Sequence, residues 1–179
     1  MKATRTITSV VGVLAAALFA AAPAQAQRMS PGAHFGATAG LNVPLSDLSS
    51  TDNSGYYLAG MVTGTPSGSP LELRGEVSYS GFGAKRYGGN DNIAGFTGNV
   101  VYPLEQGSGT TPYLIGGIGL YHISWAGGIA SENDFGFNIG GGLQWQLGDM
   151  RTFAEVRYHY IGSSGASTQM LPITFGVIF

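Results

Sequence analysis

Residues 170–179 read MLPITFGVIF, and they show the clearest alternation of side chains in the whole sequence. One face of an extended strand would carry Leu171, Ile173, Phe175, Val177 and Phe179. The other face would carry Met170, Pro172, Thr174, Gly176 and Ile178. Because successive side chains of a β-strand point to opposite sides, this segment is predicted to be a strand whose two faces meet different surroundings.

Two earlier segments repeat this pattern. Residues 135–147 read FGFNIGGGLQWQL, and their large apolar side chains share one face: Phe137, Ile139, Leu143, Trp145 and Leu147. Residues 71–79 read LELRGEVSY, where apolar residues alternate with Glu72, Arg74, Glu76 and Ser78. The two-residue period therefore runs through distant parts of the chain.

Helical periodicity is hard to find after residue 27, because the 30 glycines interrupt nearly every window. The candidate strands are residues 34–43, 56–64, 71–82, 93–102, 112–125, 135–147, 151–161 and 169–179. They average roughly 11 residues, which is the length that a tilted transmembrane strand needs. On these boundaries the connections after odd strands are longer than those after even strands, as in barrels with both termini in the periplasm. The predicted fold class is all-β: an eight-stranded antiparallel up-and-down transmembrane β-barrel.

The alternation alone does not say which face points outward, and a soluble lipocalin-like barrel with an apolar lumen is the alternative. The content of charged residues separates the two. It is 10% here, whereas a soluble domain carries about 25%. The charged residues well inside the predicted strands are Glu72, Arg74, Glu76, Glu155 and Arg157. A water-facing surface so poor in charge would aggregate, so the polar face is predicted to fill the lumen and the apolar face to contact lipid.

The N-terminus has the features of a secretory signal peptide. Lys2 and Arg5 precede an apolar run over residues 10–22, which is followed by Ala24-Gln25-Ala26. The run is shorter than the ~20 residues that a spanning helix needs. We therefore expect cleavage after Ala26 and one barrel domain over residues 27–179.

The composition also limits the chemistry of the protein. The absence of cysteine excludes disulfides, thiolate metal sites and a cysteine nucleophile. A net charge of −2 without a basic cluster argues against nucleic acid as a partner. The three histidines are too scattered to predict a metal site, and no cofactor is expected. Gly116–Gly119 and Gly140–Gly142 do not complete a nucleotide-binding motif.

Aromatic residues near the predicted strand ends suggest two interfacial girdles. Those near the periplasmic ends are Tyr102, Tyr113, Trp145 and Phe179. Those near the extracellular ends are Tyr57, Tyr79, Trp125, Phe135 and Tyr160.

Several segments resemble the outer-membrane β-barrel domain family, which includes the small OmpA-like and OmpX/Ail-like barrels. They are LPITFGVIF (171–179), PYLIGGIGLY (112–121), FGFNIGGGLQWQL (135–147) and FAEVRYHYI (153–161). The resemblance implies a monomer in the outer membrane of a diderm bacterium, with membrane lipid and the assembly machinery as partners. It implies that Phe175, Val177 and Phe179 belong to the assembly signal. It also implies a role in envelope stability or in contact with a surface ligand or host factor, without catalysis.

The charged strand residues are the most informative candidate site. Glu72, Arg74 and Glu76 share the lumen face of the third strand, and Glu155, Arg157 and His159 share that of the seventh. These strands lie opposite one another in an eight-stranded barrel, whose interior side chains can fill. We expect the charges to pair across the lumen as a structural plug; a gated or proton-linked conduit is the alternative.

A lipid A deacylase of the PagL type is a second kind of small outer-membrane barrel, with a His-x-Ser pair and an acidic partner. The penultimate strand here reads Arg157-Tyr158-His159-Tyr160-Ile161 and lacks the serine. His122 and Ser124 occur instead in the fifth strand, with Glu132 expected in the loop that follows. No catalytic residue is predicted, and the lipid-modifying enzyme stays an alternative.

The assembly signal generates the first testable prediction. Phe179→Ser should deplete folded protein from the outer membrane while export continues, because the resemblance makes this aromatic residue part of the signal. Heat-modifiable gel migration of the outer-membrane fraction measures the folded amount. Phe135→Ser, which changes an aromatic residue outside the signal, is the matched control and should retain folded protein. Equal folded amounts of the Phe179 variant and the unchanged protein would show that the resemblance is misleading.

Overall fold

The computed structural model describes residues 32–85, 90–104, 109–125, 131–162 and 167–179. In this part of the chain eight antiparallel strands close into a barrel, each paired with the next and β1 with β8. The strands are β1 Ala33–Leu45, β2 Gly55–Gly64, β3 Glu72–Gly83, β4 Asn90–Pro103, β5 Thr110–Ser124, β6 Ser131–Leu147, β7 Met150–Gly162 and β8 Ser167–Ile178. A short helix, α1 (Ser46–Thr51), follows β1. The predicted fold class and the eight strands are confirmed.

The connections after odd strands are still longer on average than those after even strands, but the difference is smaller than predicted and the lengths do not strictly alternate. Those after β1, β3, β5 and β7 are residues 46–54, 84–89, 125–130 and 163–166. Those after β2, β4 and β6 are residues 65–71, 104–109 and 148–149. The connections after β3 and β5 are shorter than predicted because β4 and β6 begin earlier than expected. The added residues include Asn, Asp and Ser, which have low strand propensity. Pairing with the neighbouring strands extends these segments, and the connections shorten.

The outer surface of the barrel is apolar. Leu41, Phe96, Ile118, Leu120 and Ile139 are each exposed by 58% or more. The opposite faces of the same strands carry buried polar residues, including Thr38, Asn42, Thr97, Asn99 and Asn138. A soluble lipocalin-like barrel needs the reverse arrangement, so that alternative is wrong. Among the described residues, no helix is long and apolar enough to cross a membrane.

Inward-facing glycines make room for large side chains that cross the lumen. A Cβ atom on Gly176 would lie 2.2 Å from Cζ of Phe153, and one on Gly142 would lie 2.6 Å from the Tyr113 ring. At Gly140 it would lie 2.7 Å from Cγ of Arg157. These separations are shorter than van der Waals contact. The glycines therefore leave the space that the large interior side chains occupy.

The lumen has three layers between an upper rim and a lower rim. The upper rim carries the connections after β1, β3, β5 and β7, and the lower rim carries the others. An upper apolar cluster contains Leu48, Phe82, Ile93, Tyr121, Ile123, Ile161 and Met170. A lower apolar cluster contains Met61, Val101, Tyr113, Ile115, Phe153 and Ile178. Four charged residues of β3 and β7, Arg74, Glu76, Glu155 and Arg157, lie between the two clusters.

Candidate functional site

The charged side chains of β3 and β7 meet inside the barrel, because these two strands are four positions apart in the closed sheet. The six inward-facing residues are Glu72, Arg74, Glu76, Glu155, Arg157 and His159, each exposed by 6% or less. The structure therefore brings together all the residues of the predicted lumen cluster, although they have different partners.

Four of them form what we call the lumen ion network: Arg74, Glu76, Glu155 and Arg157. Nη1 of Arg74 lies 2.9 Å from Oε2 of Glu155, and Nη2 of Arg157 lies 2.6 Å from Oε1 of Glu76. Nε of Arg157 lies 2.7 Å from Oε1 of Glu155. Each strand supplies one arginine and one glutamate, so the four charges cancel. Buried charges are tolerated when they are paired in this way.

Two tyrosine hydroxyl groups donate hydrogen bonds to the glutamates of the network. Tyr113 donates a hydrogen bond of 2.7 Å to Oε2 of Glu155, and Tyr57 donates one of 2.5 Å to Oε1 of Glu76. The Arg74 guanidinium also lies 5.1 Å from the centroid of the Phe153 ring, within the range of a cation–π interaction. Neither tyrosine was predicted to belong to this site. The two-residue period does not identify the inner face of β2, because the outward Tyr56 and Leu58 are as large as the inward Tyr57.

A separate ion pair lies at the lower rim. Nη2 of Arg151 lies 2.6 Å from Oε2 of Glu72, and the Arg151 side chain is 26% exposed. Nη2 of Arg74 lies 3.8 Å from Oε1 of Glu72, so the rim pair adjoins the lumen ion network. Arg151 was not predicted as a site residue. Its spacing from Glu155 and Arg157 puts it on the same face of β7, which was an available signal.

His159 contacts neutral groups and not a carboxylate. Its Nδ1 lies 3.0 Å from the hydroxyl oxygen of Tyr121, and its ring centroid lies 6.2 Å from that of Tyr57. The side chain is fully buried. His159 therefore links the lumen ion network to the upper apolar cluster, to which Tyr121 belongs.

Some of the predicted interfacial aromatic residues lie on the outer surface, and others point into the lumen. Tyr102 is 46% exposed on the outer surface near the lower rim, and Trp145 packs against Phe175 with ring centroids 5.8 Å apart. Tyr113 is 1% exposed and points into the lumen, so its assignment to a girdle is wrong. Trp125 packs against the upper apolar cluster, so its assignment to the lipid interface is also wrong.

Tyr57, which was also assigned to a girdle, is fully buried in the lumen. The physical reason for the error at Tyr113 lies in β5, where both faces carry large apolar residues. Tyr113 and Ile115 point inward, while Leu114 and Ile118 point outward. Hydrophobicity therefore could not identify the inner face of this strand.

The three residues predicted to form the assembly signal lie on the outer face of β8. Phe175 is 52% exposed and Phe179 is 57% exposed, while Val177 is half-buried. The backbone N–H of Phe179 donates a hydrogen bond of 2.8 Å to the carbonyl oxygen of Phe35, where β8 meets β1. These residues therefore lie at the seam that closes the barrel.

His122 and Ser124 lie on the outer face of β5, toward the upper rim. His122 is exposed, and its Nδ1 lies 2.9 Å from Oδ1 of Asn133 on β6. Glu132, which was expected in a loop, lies in β6 opposite Ile123 and is therefore on the other face of the sheet. The structure brings His122 together with an amide and not with the predicted acidic partner.

In the described ranges of the chain, no group of three or more His, Asp or Glu side chains is placed to hold a metal ion. The dense cluster of titratable groups in the lumen consists of paired arginines and glutamates. Oε1 of Glu76 and Oε2 of Glu155 each accept from one guanidinium and one hydroxyl donor.

The lumen ion network generates the second prediction. Arg157→Met should lower the free energy of unfolding by about 3–5 kcal/mol, because it leaves the Glu76 carboxylate buried without its cation. Adding Glu76→Gln should recover part of the loss, because the abandoned charge is removed. Urea unfolding in detergent or lipid measures both variants.

Arg151→Met is the matched control, because it removes an arginine–glutamate pair that is partly exposed at the rim. Its cost should be smaller than that of Arg157→Met, because the Arg74 guanidinium stays 3.8 Å from the Glu72 carboxylate. Losses that simply add in the double variant Arg157→Met/Glu76→Gln would show that the two side chains do not interact.

Three solved structures are similar to this barrel. Neisserial surface protein A (NspA) has a TM-score of 0.67 at 17% identity, with 83% of this chain and 96% of that chain covered. The outer membrane enzyme PagL has a TM-score of 0.58 at 16% identity, with 82% and 98% covered. The N-terminal β-barrel domain of Pseudomonas aeruginosa OprF has a TM-score of 0.53 at 14% identity, with 84% and 100% covered. At these identities the likeness concerns the fold.

No curated protein matches the chain by sequence. The sequence pattern of one family does match, over residues 12–179, and its description is "Outer membrane protein beta-barrel domain". The apolar outer surface, the polar lumen and this match agree with one another. The chain therefore belongs to the outer membrane protein beta-barrel domain family and is a protein of the outer membrane.

Proposed function

We propose that this protein is a non-enzymatic barrel that stabilises the outer membrane or makes contacts at the cell surface, with a lumen closed by its own side chains. The observation that carries the proposal is the continuous filling of the lumen. The lumen ion network occupies the middle, and apolar clusters lie above and below it. A conduit for solutes needs an open polar path, which these layers obstruct.

The expected topology, processing and assembly of the chain belong to the same proposal. The upper rim faces the outside of the cell, since an even number of strands returns both termini to the periplasmic side. Residues 1–26 are removed as a signal peptide during export, and the assembly machinery inserts the remaining chain as a monomer. The upper rim is then the surface available to a ligand or host factor.

The filled lumen generates the third prediction. Purified protein reconstituted in a planar lipid bilayer should show no discrete conductance steps, because ions cannot pass the paired charges without separating them. A general porin reconstituted in parallel is the positive control. Regular steps from this protein at neutral pH would contradict a side-chain plug and favour the gated conduit.

Hydrolysis of an acyl ester of a membrane lipid is a second candidate function, and one observation favours it. Oδ1 of Asn133 can only accept a hydrogen bond, so at 2.9 Å it orients the His122 ring with its proton on Nδ1. Nε2 is then able to accept a proton from a hydroxyl group. Ser124, two residues along the same outer face, carries such a group beside the lipid. PagL, which is described as an outer membrane enzyme, has a similar fold.

The fourth prediction separates the two candidate functions. If Ser124 is a nucleophile and His122 its base, then purified protein should release fatty acid from outer-membrane lipids in detergent micelles. His122→Ala and Ser124→Ala should each abolish the release. His34→Ala, which changes a histidine at the lower rim, is the matched control and should retain it. Absence of fatty-acid release from the unchanged protein supports the non-enzymatic function.

A further inference from the structure

An open apolar groove crosses the outer surface of the barrel from β2 to β5, and we call it the outer groove. Its walls are the outward-facing side chains of Val62, Leu73, Val100 and Ile118, which are 37–58% exposed. Its volume is about 730 Å³, which is within the range of roughly 300–1,000 Å³ that ligand pockets occupy. The groove is part of the apolar surface that faces lipid.

Glycines form the floor of the outer groove. Gly75 lies opposite Gly98 in the ladder of β3 and β4, and Gly116 lies opposite Val100 in the ladder of β4 and β5. Each glycine is two residues from an exposed apolar side chain of its own strand, such as Val100 for Gly98. Because side chains alternate along a strand, all three glycines face outward. Three adjacent strands therefore present bare backbone to the lipid at the same place.

The interior of the barrel does not explain these three glycines. A Cβ atom on Gly98 would have nothing within 4 Å beyond its chain neighbours, and one on Gly75 or Gly116 would make only ordinary contacts, at 3.5 and 3.6 Å. A Cβ atom on the inward-facing Gly119 would instead lie 2.6 Å from the Thr97 side chain. Glycine inside a strand weakens the strand. The outward glycines carry this cost without a packing reason inside, which indicates that something outside the barrel uses the space.

The outer groove runs obliquely up the wall of the barrel from the lower rim. Its low end is bordered by Gly32, Thr65 and Pro66, next to the start of β1 and the end of β2. Its high end reaches Ile118, well inside β5. The surroundings at that depth are the hydrocarbon chains of the membrane. A flexible apolar chain that hangs from a headgroup at the lower rim matches this path.

A second copy of the barrel matches the outer groove less well. The outer surfaces of two barrels are convex, so they meet along a narrow strip, whereas a stable protein interface buries roughly 800 Å² on each partner. A single acyl chain can contact the floor of the groove and both of its walls at once. The concave shape therefore favours a lipid chain over a second barrel.

We propose that the outer groove is a binding site for one acyl chain of a phospholipid whose headgroup lies at the lower rim. The floor glycines let the chain approach the backbone, and dispersion contacts with the walls hold it there. The bound lipid belongs to the periplasmic leaflet, and only this choice of leaflet rests on the topology in the proposed function. The site is independent of which of the two candidate functions applies.

The test compares two valines of equal exposure. Val100 lines the outer groove, whereas Val156 lies outside it on the outer face of β7, and each is 42% exposed. The protein is reconstituted in vesicles of phosphatidylethanolamine and phosphatidylglycerol with a trace of phospholipid that carries a diazirine on one acyl chain. After irradiation, mass spectrometry measures the label on each residue. We expect roughly fivefold more label on Val100, because many small dispersion contacts add up along an enclosed chain.

The position of the diazirine tests the direction of the chain. A diazirine near the carboxyl end should label Leu73 most strongly, and one near the methyl end should label Ile118. The reverse order would place the headgroup at the upper rim and overturn the proposal. Equal label on Val100 and Val156 would indicate an ordinary lipid surface, and less label on Val100 would indicate that a second copy covers the groove. Either result would also overturn the proposal, whatever the outcome of the conductance and fatty-acid measurements.

Gly98→Leu should fill the outer groove and reduce the label on Val100 to the level of Val156, because the open space beside Gly98 admits a side chain. Ala39→Leu adds the same side chain to an exposed position of β1 outside the groove and is the matched control, with an unchanged ratio. Heat-modifiable gel migration measures the folding of both variants. A folded Gly98→Leu variant that keeps the high ratio would contradict the site. If that variant does not fold, the comparison of the two valines in the unchanged protein decides.

Discussion

The pairing of charges across the lumen is the constraint on which the rest of the structure depends. Glu76 and Arg157 come from opposite strands, and both are buried where bulk water does not reach them. Neither charge can remain without the other, because an unpaired charge in such a place costs several kcal/mol. The register of the closed sheet must therefore bring these strands to matching heights. A one-residue slip would turn the charges of either strand toward lipid.

The composition of the chain follows from the same constraint. An arginine that reaches across a narrow barrel needs space along its length, and inward-facing glycines such as Gly140 provide it. Tyr57 and Tyr113 add hydroxyl donors to the carboxylates without adding charge. The apolar clusters above and below then separate the paired ions from water at both rims. The high glycine content and the low charge content that mark the sequence are thus consequences of one filled lumen inside an apolar belt.

The sequence was sufficient to predict the strands and the inner face wherever the two faces of a strand differ in polarity. That holds for β3, β6 and β8, and the six charged or histidine residues of the lumen were placed correctly because β3 and β7 alternate clearly. It fails for β2 and β5, where both faces carry large apolar or aromatic residues, as at Tyr113 and Leu114. The identity of each ion pair was also beyond prediction, since Arg157 contacts both Glu76 and Glu155. Which oxygens it reaches depends on the stagger of strands that are distant in sequence.

The two rims differ in a way that bears on function. The lower rim ends in the Arg151–Glu72 pair and a two-residue turn after β6, in which Gly148 has φ of 63°. Such a turn needs positive φ, which glycine supplies without strain. The upper rim instead carries α1, whose Leu48 packs into the upper apolar cluster, the buried Asp52 side chain and the His122–Asn133 contact. The three similar barrels share 14–17% identity with this chain, so the same fold is formed by very different sequences. Side chains that barrel closure does not require lie at the upper rim. Residues specific to the function of this barrel are therefore expected there.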